Sequence, residues 1–194
     1  MLSLNARQVA VLTVLTAVSL GIQLAPRPPN VEFTSLFTFI VGLLYGSIIG
    51  GFFGGFVMFV NGFLSSWGFG GLMIPFQIVG MAITGIAGGF YKRYTVKMSH
   101  ARFSIEVAIL GAALTLLYDI ITNVGVAVTY VLSGISWNIA LILAISSGAL
   151  FSLIHVASNV VLFGSGFVPL LKALQKVPGG EALWLRKELL HSQH

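Results

Sequence analysis

The sequence predicts an all-α integral membrane protein, a compact bundle of six transmembrane helices with both termini on the cytoplasmic side. Composition, the length of the apolar runs and the placement of the basic residues each point to it. Apolar residues make up 57% of the 194 and charged residues 8%, with a mean hydropathy of +0.99. Soluble domains carry roughly a quarter charged residues, and a chain this short has no interior large enough to hide so much apolar surface. A bilayer crossing needs about 20 apolar residues, fewer where a segment lines a cavity. By that ruler the spans are 8–25, 33–49, 51–66, 72–91, 104–131 and 138–171. Of the ten lysines and arginines, only Arg27 falls on the outer side when the N-terminus is inside. Arg7, Lys92, Arg93, Lys97, Arg102, Lys172, Lys176, Arg186 and Lys187 all fall inside, as the positive-inside rule requires of an even number of crossings.

Each span has its own signature. The first follows Arg7 and has the look of a signal peptide, but it runs into Pro26-Arg27-Pro28-Pro29 without a small-residue cleavage site and is read as a retained helix. The second and third are separated only by Gly50-Gly51. Across them Gly42, Gly46, Gly50 and Gly54 recur every four residues, with Gly51 and Gly55 in a second register. The fourth carries Gly80, Thr84 and Gly88 with Gly85 and Gly89. Small residues at this spacing let helices approach closely where lipid gives no hydrophobic drive between them, and a smooth face of this kind also suits sliding against a partner. The fifth and sixth are longer than a perpendicular crossing needs, so they tilt or project into water. Residues 1–176 form the membrane domain. The tail 177–194 interleaves Leu183, Trp184, Leu185, Leu189 and Leu190 with Arg186, Lys187 and Glu188, the pattern of an amphipathic interfacial helix or of a frayed polar terminus.

The net charge of +5 follows from topology and calls for no nucleic acid, whose binders gather cations along one face. The absence of cysteine removes disulfides, thiolate metal sites and cysteine nucleophiles. No phosphate-binding Gly-rich loop, zinc-protease helix or acidic pair is present, and Gly164-Ser165-Gly166 lacks the spacing of a nucleophile elbow. Enzymatic chemistry, bound cofactors and a metal site are therefore not expected, and any ATP-driven step belongs to another subunit.

Polar residues at membrane depth mark the functional candidates, because an ionisable group there costs several kcal/mol by insertion scales and is retained for a reason. Asp119 lies in an almost uncharged run from Val107 to Leu171, with Asn123 one helical turn away on the same face. Asn61 and Gln77 lie within two turns of the outer surface, and Thr122, Asn123 and Tyr130 lie above Asp119. Outer loops add Asn30, Glu32, Ser65, Ser66, Trp67, Ser133, Ser136, Trp137 and Asn138. Trp67 and Trp137 serve either as interfacial anchors or as aromatic walls. The candidate substrate-binding set is Asn30, Glu32, Asn61, Trp67, Gln77, Asp119, Asn123, Tyr130, Trp137 and Asn138. His155 and Asn159 form a separate polar pair placed deeper toward the cytoplasm, read mainly as interhelical hydrogen bonding.

The order of several pieces resembles the substrate-binding S components of energy-coupling factor transporters, the micronutrient uptake systems of prokaryotes. The pieces are Ala6-Arg7-Gln8-Val9-Ala10, the glycine-striped Gly42 to Gly55, Asn61 with Ser65-Ser66-Trp67-Gly68, Leu117-Tyr118-Asp119 with Thr122-Asn123, and His155 to Asn159 leading to Phe163 and Pro169. They cover residues 6–176, each degenerate alone and distinctive in sequence order. The resemblance implies capture of a vitamin or cofactor-type micronutrient from outside, in a pocket closed by the first, third and fifth loops. It implies a prokaryotic plasma membrane and docking of Ala6, Ala10 and Ala17 on a transmembrane coupling subunit with two ABC-type ATPases. It also implies toppling of the bundle to release cargo inside. Val14 departs from a continuous small-residue ladder. Two other classes fit the residues: a proton- or ion-coupled carrier using Asp119 and His155, and a membrane assembly subunit whose function is its glycine stripes. With one acid in the outer half and few cations, the pocket favours a neutral or cationic ring over a polyanion.

Overall fold

A computed structural model describes residues 4–94 and 100–176, so Lys97 and the tail with its proposed interfacial helix lie outside the described residues. The described chain is helical throughout, without a strand: α1 (Ala6–Leu24), α2 (Thr34–Tyr45), α3 (Ser47–Leu64), α4 (Ile74–Tyr94), α5 (His100–Leu132), α6 (Trp137–Val161) and α7 (Phe167–Gln175). Five helical segments are long and apolar enough to cross a membrane: α1, α3, α4 with the 3₁₀ turn before it, α5, and α6 continued through α7.

The second predicted span differs. It is a helix of 12 residues, about 18 Å long, well short of a hydrocarbon core of about 30 Å. All 12 residues are buried, which makes α2 the centre of the bundle. Its end is not at Gly50-Gly51 but at Gly46, whose φ of 95° is reached readily only without a Cβ. The chain then reverses into α3, so the glycine stripe folds back on itself. A methyl on Gly42 would overlap the Gly85 carbonyl, one on Gly50 would overlap Gly42, and one on Gly54 would lie 2.6 Å from the Met81 carbonyl. Gly88 meets the Phe39 carbonyl and Gly89 the amide of Ser47 in the same way. These stripes are used up inside the bundle, where α2, α3 and α4 touch backbone to backbone, and they present no smooth face to a sliding partner.

Below this contact lies an aromatic core. Phe39 is fully buried and its ring centroid lies 5.6 Å from Tyr91, 5.6 Å from Phe163 and 5.9 Å from Phe167. Phe163 sits in a π-helical turn, Leu162–Gly166, that interrupts what the sequence presents as one continuous sixth span. The cause lies just downstream: Pro169 lacks an N–H and crowds the carbonyl four residues earlier, and the widened turn accommodates it. At the same end Tyr91 donates to the Glu106 carboxylate at 2.9 Å, tying α4 to α5.

Gly85→Ala should therefore lower stability by about 1–3 kcal/mol or more, since backbone on two neighbours cannot rotate away. Gly21→Ala, with nothing within 4 Å of the added carbon, should be neutral or stabilise by under about 1 kcal/mol. Thermal unfolding in detergent separates the two; equal midpoints would contradict the close packing.

Candidate functional site

The site begins where α1 hands over to α2. Gln23, buried in the last turn of α1, accepts from the Thr34 hydroxyl at 2.7 Å and pins the two helix ends together. Between them the prolines of 26–29 deny the loop a helix, and Asn30 turns it with a φ of 59°, a conformation asparagine tolerates better than most residues. Arg27 donates through Nη1 to the Val31 carbonyl at 3.1 Å and through Nε to that of Gln23 at 3.4 Å, folding the loop over the bundle. Glu32 then meets the first turn of α2. Its carboxylate accepts from the Ser35 amide at 3.1 Å and the Ser35 hydroxyl at 2.5 Å, answering donors that a helix start leaves open.

His155 of α6 joins this loop to α5. Its Nδ1 lies 2.7 Å from Asp119 Oδ1 and its Nε2 3.3 Å from Glu32 Oε1, with all three residues more than nine-tenths buried. A neutral imidazole donates from one nitrogen only, so both bonds form together when the ring carries two protons or when one acid holds a proton. Both ring nitrogens are thereby engaged, and among the described residues no cluster is arranged to hold a metal ion. Burial alone would raise the Glu32 carboxyl, but the hydrogen bond and charge of His155, with the Ser35 hydroxyl and amide, bring it down to about 2. Tyr118 stands edge-on to the His155 ring at 5.6 Å, and Ser158 on the next turn of α6 donates to the Asn30 carbonyl at 3.1 Å. The loop is fastened to α6 at two points.

Beside this bridge is a cavity of about 300 Å³. Asn30 and Glu32 of the first loop, Asn61 of α3, Trp67 of the 65–73 connection, Gln77 of α4 and Asp119 of α5 all line it, so these sequence candidates converge. The others do not. Asn123 faces α6 as Asp119 does, but one turn further along α5 and against Gly148, and it does not line the cavity. Tyr130 packs with Ala127, Ala140 and Ala144 in a separate small core. Trp137 and Asn138 are exposed at the start of α6, and the connection 133–136 contributes nothing to the cavity. His155 is not deeper than Asp119 but level with it, since the midpoint of the long sixth span faces the midpoint of the fifth. Asn159 is fully buried with neither amide atom bonded, and it does not line the cavity.

Gln23, Arg27, Tyr118, Thr122 and three methionines, Met58, Met73 and Met81, also line it, with Pro29 and Ser65, without having been placed in the candidate binding set. Arg27 carried the one usable signal, as the single cation away from the basic side. Methionines look like ordinary lipid-facing or core residues until helix packing turns their sulfurs inward, where they make an adaptable wall. On the outer surface of α1, Ala6, Ala10 and Ala17 are exposed, with Val14 61% exposed among them.

Removing His155 leaves two carboxylates buried without their shared donor. His155→Ala should cost about 3–5 kcal/mol, whereas Asp119→Asn, whose side-chain oxygen still accepts from Nδ1, should leave the fold intact. Unfolding midpoints of the two variants test this; a midpoint for His155→Ala equal to that of the parent would show that the bridge carries no load.

Comparison with family models, with curated proteins and with solved structures finds no match for this chain.

Proposed function

We propose that this protein is a substrate-binding S component of an energy-coupling factor type transporter. In this reading it lies in a prokaryotic plasma membrane with both termini inside, the short buried α2 making the sixth pass within the bundle, captures a vitamin or cofactor-type micronutrient from outside, and delivers it to a coupling subunit with two ATPases. The observation that carries this reading is the loop-covered cavity of about 300 Å³, lined by buried charged and amide groups. It opens at the Arg27 end of the bundle, opposite the basic connections that the positive-inside rule assigns to the cytoplasm. A polar cavity opening on that side suits capture. The exposed Ala6, Ala10 and Ala17 on α1 offer a helix face on which another membrane helix packs closely. The absence of a nucleotide-binding loop from the sequence agrees with ATP hydrolysis by partners.

The Glu32–His155–Asp119 chain favours a second reading, a carrier that couples uptake to protons through these groups. Uptake by vesicles holding the chain with and without coupling subunit and ATPases separates the two. An S component binds cargo alone, copurifies with the ATPase module and accumulates cargo only with it and ATP. Accumulation by the chain alone, abolished by a protonophore, would replace the first reading with the second; failure to bind any of a panel of vitamins and related cofactors, with no copurifying ATPase, would sink the first.

A further inference from the structure

The cavity's hydrogen-bonding capacity is unevenly used. Both oxygens of Glu32 already accept from Ser35, and one of them also faces His155. Asp119 has given Oδ1 to His155, but its Oδ2 is buried without a donor. Asn61 Oδ1 and Gln77 Oε1, on two other helices, are buried without donors as well. A buried acceptor left unpaired is costly and rare, and one of these three belongs to a carboxylate. Arg27, the lining cation best placed to draw an anion, has two of its nitrogens engaged by main-chain carbonyls. The acceptors are therefore in surplus where ligand would lie.

The walls and the size narrow the class further. Trp67 and Tyr118 contribute aromatic rings, and the lining methionines add polarisable thioethers that pack against flat rings. A volume of about 300 Å³ is at the small end of ligand sites. We infer that the cavity takes a small planar heterocycle, of one or two rings, that presents N–H donors along one edge to Asp119, Asn61 and Gln77 and carries no phosphate or carboxylate. Asp119 Oδ2 takes one donor of that edge, and the two amides, each with an oxygen and an amino group, read the rest of it. This inference rests on the capture role proposed above.

A matched series on one ring system tests it with the full unmodified chain in detergent: 2-aminobenzimidazole, its fully N-methylated analogue without N–H groups, and benzimidazole-2-carboxylate. Binding is read by thermal shift and by quenching of tryptophan fluorescence. The donor-bearing ring should bind at least about tenfold tighter than either relative, and Asp119→Asn should weaken it by about tenfold or more without moving the ligand-free midpoint. Equal or tighter binding of the methylated or acidic ring, or affinity indifferent to Asp119→Asn, overturns the donor-edge class while leaving capture standing. Failure of all three rings overturns the donor-edge class, and the capture role falls with it only if the vitamin panel and the ATPase module also fail to bind.

Discussion

A histidine held between two carboxylates inside an apolar helical bundle is the interaction on which the site depends. His155 links Asp119 of α5 to Glu32 of the first loop, and Glu32 in turn holds the first turn of α2. Three segments distant in sequence are thereby fixed around one imidazole. Each charge alone would be expensive to bury, and the shared imidazole offsets that cost, so its removal is the costly change. The same arrangement leaves one oxygen of Asp119, a residue that lines the cavity, without a partner.

Placing that bridge requires α2 to be short, central and tightly surrounded. Gly46 stops it after three turns, and the meeting of Gly42, Gly50 and Gly85 brings α3 and α4 so close that no side chain fits between the backbones. Glu32 at its start is consequently held at the level of the His155 ring rather than at a membrane surface. The aromatic cluster around Phe39 packs against its middle, with the π-helical turn delivering Phe163 into it. Close glycine packing below and a charged bridge above thus act on the same helix from its two ends.

Much of the helical organisation was legible in the sequence because bilayer length and apolar composition leave little choice of secondary structure. The break between the second and third segments was misplaced, since Gly46 and Gly50 look alike in sequence while one adopts a left-handed turn and the other a helical contact. Among site residues, Asn61, Gln77 and Asp119 were found because polar groups at depth stand out. Asn123 stood out for the same reason, and Trp137 and Asn138 as outer-loop residues, yet Asn123 lies one turn beyond the cavity against Gly148 and the other two are exposed at the start of α6. The partnership of His155 with Glu32, across 123 residues, had no sequence signal at all. Only the fold brings them together.

The chain has no cysteine, so a single thiol introduced at Asn61 reports access to the cavity. The most direct measurement is the rate at which a membrane-impermeant maleimide labels Asn61→Cys, with His155 present and with His155→Ala. If the histidine bridge holds the first loop over the cavity, labelling is slow with His155 and faster by about tenfold or more without it, as a local opening becomes cheaper. Equal rates in the two backgrounds would contradict the bridge as the latch of the site.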